Sequence, residues 1–219
     1  MTIIGINASP RKTWNTATLL GKALDGAASQ GAETVLVHLH DLDFTGCLSC
    51  FACKRKGGKS YGTCALDDEL TPVLADARES AALVLASPNY LGAPTGTMKS
   101  FVERLAFPSI VYDAAMPSLL KKPIPTGFIY TMGSTDLRLT EMGYQQAPEL
   151  MVKVLQMVFG SAELLMVTDT YQFDDYSKYV ATRFDPIAKA KRREEHFPID
   201  CEQAFEMGAR LARAALDRP

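Results

Sequence analysis

MTIIGINASPRKTWNT, residues 1–16, decides the reading of this chain. An apolar run (Ile3, Ile4, Ile6) stops at Asn7, small and polar residues follow (Ala8, Ser9, Pro10, Arg11, Lys12), and helical spacing begins at Asn15 and Thr16. The pattern predicts a strand, a loop and a helix start. In an open α/β sheet the loop after the first strand lies at the carboxyl edge, beside the point where strand order reverses, and ligands bind there. The helix start adds unpaired N–H groups and the positive end of its dipole, which suits a phosphate. Ser9, Asn15 and Thr16 supply donors and Arg11 a charged fork. The loop holds neither G-x-x-x-x-G-K-[ST] nor G-x-G-x-x-G, which disfavours triphosphate and dinucleotide sites of those kinds. The competing reading is an ordinary helix cap beside an exposed arginine, since Ser, Thr and Asn are common cap residues.

Working outward, 219 residues fit one doubly wound domain with extensions. A content of 47% hydrophobic and 22% charged residues supplies a sizeable core. The formal net charge of −2 lends no electrostatic support to a nucleic-acid partner. The first strand starts at Thr2 with no leader-like pattern, and apolar runs such as Ala81 to Ala86 are too short for a bilayer, so a cytoplasmic, non-membrane protein is expected. Five cysteines, an odd number, point to reduced thiols or metal ligands rather than a disulfide framework.

After the first helix, which Gly31 is expected to stop, a second strand is predicted over 34–40, with His38 and His40 on one face. Those two suit either a metal or an exposed edge. Asp67, Asp68 and Glu69 read as the cap of a helix running to about Ser80, with a metal site as the competing reading. Ala81 to Ala86 is a continuous apolar run, as in a central parallel strand buried on both faces. It leads into a second loop, Ser87 to Gly96, with Tyr90 at its apex, and then a helix from Thr95 to Phe107. On that helix Lys99, Glu103 and Arg104 are expected to meet solvent or ion partners, Lys99 with Glu103 at i,i+4. The connection Pro108 to Pro123, with Tyr112 and Met116, reads as a lid, an interface or a packed loop.

A strand at 124–131 brings a third loop, Met132-Gly133-Ser134, to the same edge; a helix at 147–159 and a strand at 162–169 follow. Five βα units make the fold class α/β, a flavodoxin-like doubly wound parallel sheet of order 2-1-3-4-5. We divide the chain into a flavodoxin-like unit at 1–170 and an extension at 171–219, packed on the same unit or on a partner subunit. In the extension, Tyr171 to Tyr179 reads as a subunit contact or surface packing and Lys189 to Glu195 as a solvated helical turn. A closing helix at 201–216 is expected to bury Phe205, Leu211, Ala212 and Ala215.

The densest chemistry is Gly46-Cys47-Leu48-Ser49-Cys50-Phe51-Ala52-Cys53, with Cys64 beyond a basic, glycine-bearing loop. C-x2-C-x2-C lets three thiolates face one [4Fe–4S] cluster, and Cys64 would close the fourth corner. Zinc and plain thiols are the alternatives.

Together these motifs, with Ser87-Pro88-x-Tyr90 leading to Gly96-x-Met98-Lys99-x-Phe101-x-Glu103-Arg104, resemble the NADPH-dependent FMN reductase-like and iron–sulfur flavoprotein families over about residues 1–135. The resemblance implies an FMN whose phosphate lies on Ser9, Arg11, Asn15 and Thr16. Pro88, Asn89, Tyr90, Leu91 and Gly92 would run along the isoalloxazine, with Met132 and Gly133 on its other side. It implies NADPH or NADH as donor, a small acceptor such as a quinone or flavin, no catalytic side chain, and a homodimer or homotetramer. Two other functions are open: an electron carrier exchanging with a ferredoxin-like protein through flavin and a 4Fe–4S cluster on Cys47, Cys50, Cys53 and Cys64, or a cysteine-based redox sensor. In the iron–sulfur flavoproteins the fourth cysteine follows the third closely, whereas ten residues intervene here between Cys53 and Cys64.

Overall fold

The computed structural model describes residues 1–113 and 118–217. Met116, in the connection read as lid or interface, lies outside the described residues. The elements run β1 (Thr2–Asn7), α1 (Asn15–Ser29), β2 (Glu33–His38), α2 (Leu70–Glu79), β3 (Ala82–Tyr90), β4 (Ala93–Pro94), α3 (Gly96–Ala106), β5 (Thr126–Thr131), α4 (Asp136–Met142), α5 (Gln146–Phe159), β6 (Ala162–Val167), α6 (Pro186–Glu195) and α7 (Phe197–Leu216). The sheet order is β2-β1-β3-β5-β6, all parallel, with the two-residue β4 folded back antiparallel on the end of β3. Counting only the parallel strands, this is the expected 2-1-3-4-5.

Alternation along each strand sends side chains to two cores. Ile4, Ile6, Leu83, Leu85, Phe128 and Tyr130 pack against α2, α3 and α5 through Leu74, Phe101, Leu105 and Leu155. Ile3, Val84 and Ile129 face α1 and α7 through Leu19, Leu20, Ala23, Met207 and Leu211. Burial on both faces is why the central strands read as unbroken apolar runs. The two helices on the second face touch backbone to backbone. A Cβ at Gly208 would sit 1.7 Å from the Ala23 carbonyl oxygen, and one at Gly26 would sit 1.9 Å from that of Phe205. Only hydrogen in place of Cβ permits this approach.

Several expectations need correction. β2 ends at His38 and a 3-10 turn (Leu39–Asp41) follows, so His38 and His40 do not share a strand face. The His38 Nδ1 meets Asn7 Nδ2 at 2.8 Å, while His40 is exposed. β3 continues through Ser87 to Tyr90, because β4 supplies antiparallel partners for Asn89 and Tyr90. The helix α4 was not foreseen. Of the two expectations for Arg104, the ion partner holds: it is buried and pairs with Asp68, and Lys99 and Glu103 pair at 3.0 Å as spacing predicts. Asp68 accepts from the N–H of Leu70 at 3.1 Å, opening α2. The closing helix begins at Phe197, with Pro198 in its first turn, and leaves Phe205 and Ala215 only half-buried. No helix among the described residues is long and apolar enough to cross a membrane.

Candidate functional site: a three-loop crevice and a neighbouring thiol cavity

Three strand ends meet at the carboxyl edge of the sheet. Asn7, wholly buried at the end of β1, shapes the first loop: its Oδ1 accepts from Ser9 N at 3.0 Å and its Nδ2 donates to Ser9 O at 3.3 Å. The Ser9 Oγ accepts from Arg11 N at 3.2 Å, which turns the chain toward α1. That helix starts without a side-chain cap on Trp14 and without an acidic residue in its first turn, so its first N–H groups and dipole end face the loop unneutralised. The second loop is laced to the first, with Thr95 donating from its hydroxyl to Ala8 O at 3.4 Å and from its N–H to Ser87 Oγ at 3.0 Å. The third is tied to the end of β6 by Met132 N to Val167 O at 2.9 Å and Asp169 N to Ser134 O at 2.7 Å.

The result is one crevice. Of the residues picked from the sequence, Ser9, Arg11, Asn15, Thr16, Pro88, Asn89, Tyr90, Met132 and Gly133 line it. Leu91 and Gly92 do not; they form the tip of the β3–β4 hairpin, both at positive φ, with Leu91 wholly exposed. Sequence reasoning missed Trp14, Thr131, Thr170 and Gln172, which also line it. The signal for Trp14 was its place directly before the helix. Nothing local announces Thr170 or Gln172, since they lie far beyond the first loop in sequence.

The side chains of the first loop are partly engaged. Asn15 Nδ2 and Trp14 Nε1 both donate to Tyr171 O, at 2.7 and 3.0 Å. Thr16 Oγ1 and Thr131 Oγ1 lie 2.7 Å apart. Arg11 donates to Gln172 O at 2.7 Å, and its guanidinium sits 5.1 Å from the Trp14 ring centroid. Helix α6, read from sequence as solvated, also reaches the site: Lys189 is 4% exposed and donates to Gly133 O, and Arg193 donates to Asn15 Oδ1. The aromatics of 171–184 pack largely on one another, with Phe173 stacked on Tyr179 at 4.0 Å.

A second hollow lies beneath the segment 47–66. Cys47, Cys50, Cys53 and Cys64 all line it, with Phe51, Phe107 and Arg104. Ser49 and Phe51, the residues beside the thiols, have φ of 55° and 56°, so the backbone coils through left-handed conformations there. Arg104 donates from Nε to Cys64 Sγ at 3.3 Å. Burial pushes the Cys53 thiol up, partly offset by the neighbouring Lys54. The Lys54 ammonium is fixed on the carbonyls of Phe107, Pro108 and Ile110, and burial lowers its pKa. Although the thiols share the hollow, no three His, Cys, Asp or Glu side chains among the described residues stand together as a metal would need.

The chain is similar both to curated relatives and to solved structures. An iron–sulfur flavoprotein of Methanocaldococcus jannaschii is 33% identical over 104 residues, 48% of this chain and 51% of that protein. One of Methanosarcina thermophila is 30% identical over 104 residues, 48% of this chain and 52% of its own. The chain thus spans about half the length of the curated relatives it matches. Among solved structures, an NAD(P)H:quinone oxidoreductase from Methanothermobacter marburgensis superposes with a TM-score of 0.66 at 14% identity, covering 96% of each chain. An azoreductase from Bacillus anthracis gives 0.64 at 14%, covering 95% of this chain and 99% of that one. These likenesses establish the flavodoxin-like fold. The family model described as NADPH-dependent FMN reductase matches residues 1–170, and the chain belongs to that oxidoreductase family.

Proposed function

We propose that the protein is an FMN-dependent NAD(P)H oxidoreductase, passing electrons from a nicotinamide cofactor through bound FMN to a small acceptor such as a quinone or a flavin. The observation that carries this reading is the meeting of three loops on the uncapped start of α1, in a chain of the FMN reductase family. An uncapped helix start leaves N–H donors for phosphate oxygens, and Arg11 adds a full positive charge beside them, so the residues present fit the group. When bound, FMN supplies the hydride and electron chemistry.

The chain's own residues bind and orient. Ser9, Arg11 and the first-turn N–H groups of α1 would hold the phosphate. Asn15 and Thr16, whose side chains already bond to Tyr171, Arg193 and Thr131, would act through their backbone. Pro88, Asn89 and Tyr90 would border the ring on one side and Met132 and Gly133 on the other. Asn89 Oδ1 accepts from Gly92 N at 2.7 Å, which fixes the hairpin that presents Tyr90. Among the described residues, the side chains lining the crevice other than Arg11 and Tyr90 carry no ionisable group. The five free thiols suit a reducing, cytoplasmic setting. A homodimer or homotetramer would cover Tyr90 and Leu91 at the rim, and gel filtration reads this directly.

The test is the anaerobic absorption spectrum of purified protein, with flavin, iron and sulfide assayed on the same sample before NADPH and then NADH are added. Flavin bands that bleach with either nucleotide, in protein free of iron, support the reductase. A colourless protein that takes up no FMN refutes it. One observation favours a second reading, an electron carrier exchanging with a ferredoxin-like partner: the four cysteines share a single hollow, and the curated relatives carry the iron–sulfur name. About four iron and four sulfide per chain, the content of one such cluster, would replace the first reading with this one.

A further inference from the structure

We propose that the segment from Asp169 to Arg193, which lies almost wholly beyond the family match, is a clamp acting within one chain on the two loops expected to hold FMN, with Arg193 and Lys189 as its positioning residues. The inference rests on the FMN reading of the crevice. Its first limb fixes the phosphate loop. Both polar ends of the Asn15 side chain are taken by the segment, Nδ2 by Tyr171 O at 2.7 Å and Oδ1 by Arg193 at 2.5 Å. Trp14 and Arg11 donate to the carbonyls of Tyr171 and Gln172.

The second limb fixes the third loop. Lys189 Nζ donates to Gly133 O and to Asp169 Oδ1, each at 2.5 Å, and reaches Thr170 O at 3.4 Å. An ammonium has three protons to place, and a buried one is costly unless oxygens receive them. Those three oxygens converge only if the third loop and the end of β6 stand where they do. Asp169 itself holds φ at 54°, an uncommon conformation for a residue with a side chain, and the ion pair keeps it there.

One helix face serves both limbs, because residues four apart lie above one another on a helix. That helix is itself anchored. Arg192 pairs with Asp200 of α7 at 2.6 Å, and the Arg193 guanidinium lies 4.1 Å from the Phe197 ring centroid. α7 in turn is seated on α1 through Gly26 and Gly208. Between the limbs, Tyr176 is 6% exposed and its hydroxyl accepts from Gln172 N at 3.0 Å, so the connecting chain is packed rather than loose. An ordinary surface helix would turn its cations to solvent. Here the Lys189 ammonium and the Arg193 guanidinium both land on loops of the crevice.

Among the described residues, Arg193 bonds to the phosphate loop through Asn15, so its removal is expected to disturb phosphate recognition and to spare the ring. Apoprotein is titrated with FMN and with riboflavin, which lacks the phosphate, for the wild type, Arg193→Ala, Arg193→Lys, Asn15→Ala and Arg193→Ala/Asn15→Ala. Loss of a charged hydrogen bond that orders the loop predicts FMN binding weaker by about tenfold in Arg193→Ala, with riboflavin unchanged. Arg193→Lys recovers most of the loss. Asn15→Ala reproduces it, and the double variant is no worse than either single one, since the two residues act as a unit. Lys189→Met weakens both ligands and shifts the bound-flavin absorption bands, because the loop it holds borders the ring.

Wild-type FMN affinity in Arg193→Ala overturns the clamp, as does a parallel loss of FMN and riboflavin with a lowered apoprotein melting temperature. If Arg193→Ala does not fold, wild-type FMN affinity in Asn15→Ala overturns it equally. A wild-type protein that binds neither ligand overturns the FMN reading itself, whereas FMN binding that ignores these substitutions removes only the clamp.

Discussion

Arg104 of α3 gathers both ends of the long excursion from Thr45 to Asp68, which carries the four clustered cysteines. Its guanidinium donates to Thr45 O at 3.1 Å, to Leu66 O and Cys64 Sγ at 3.3 Å each, and to the Asp68 carboxylate. The side chain of Arg104 is fully buried, and that of Asp68 is 19% exposed. Arg104→Met keeps the apolar stem and most of the volume while removing every donor. Asp68 is then left without its counter-charge, the Thr45 carbonyl loses the guanidinium, and the Leu66 carbonyl keeps only the Thr71 hydroxyl. Breaking a buried pair from one side costs about 3–5 kcal/mol; partial exposure of Asp68 places this case near the lower limit, about 3 kcal/mol. Against a total stability of about 5–15 kcal/mol, that is a large fraction. Urea unfolding of the apoprotein reads the loss directly, and trypsin, attacking the lysines and arginine of 54–59, reads its location. Cleavage there is expected to accelerate in the variant before the rest of the chain opens. Adding Asp68→Leu to Arg104→Met should recover part of the stability, since an apolar pair of similar size replaces a buried ion pair at little cost. Unfolding within about 1 kcal/mol of the wild type, with unaltered proteolysis, would refute the view that this guanidinium holds the segment in place.

Acid should act through the same pair. Burial raises the pKa of Asp68, but the Arg104 hydrogen bond and charge lower it further, so the net value lies below the ordinary carboxylate range. Stability from this group is therefore complete above about pH 3.9 and lost as pH falls through the lower folded value, an acid-dependent part that Arg104→Met should lack when unfolding is followed by far-UV circular dichroism. Gly208→Ala places a methyl 1.7 Å from a backbone oxygen that cannot rotate aside; overpacking of about 3 kcal/mol should lower the melting temperature by about 6–12 °C, and an unchanged transition would contradict the close crossing of α1 and α7. Arg11→Ala should weaken FMN by about tenfold or more while leaving riboflavin binding and the far-UV spectrum unaltered; stoichiometric FMN at wild-type affinity would remove Arg11 from the phosphate site.

The parts of this molecule that follow local rules were legible in its sequence. The run from Thr2 to Asn7 and the helical spacing from Asn15 describe β1, its loop and α1 nearly to the residue, because strand alternation, turn residues and helix periodicity all act over a few positions. The i,i+4 pair of Lys99 and Glu103 belongs to the same class. What stayed hidden depends on where distant segments land. The stretch from Ser87 to Tyr90 carries loop residues yet is strand, since β4 returns to pair with it. Lys189 and Arg193 sit in a run of mixed charge that reads as solvated; only the tertiary path of 171–185 sets α6 against Gly133 and Asn15. Arg104, likewise, looks like any exposed helix arginine until the excursion bearing Asp68 closes over it.

The glycine-to-glycine seat of α7 on α1 also orders events in time. Residues of α1 leave the ribosome early and pack on β1 and β3, yet the side of the helix at Ala23 and Gly26 finds its cover only after the chain beyond Phe197 has been synthesised. Contacts so distant in sequence form slowly, and apolar surface exposed during that wait invites aggregation or chaperone binding. The nascent chain is therefore in its most vulnerable state late in translation, with most of the sheet made and one face covered by α1 alone. A chain cut at residue 170, where the family match ends, would remain in that state permanently.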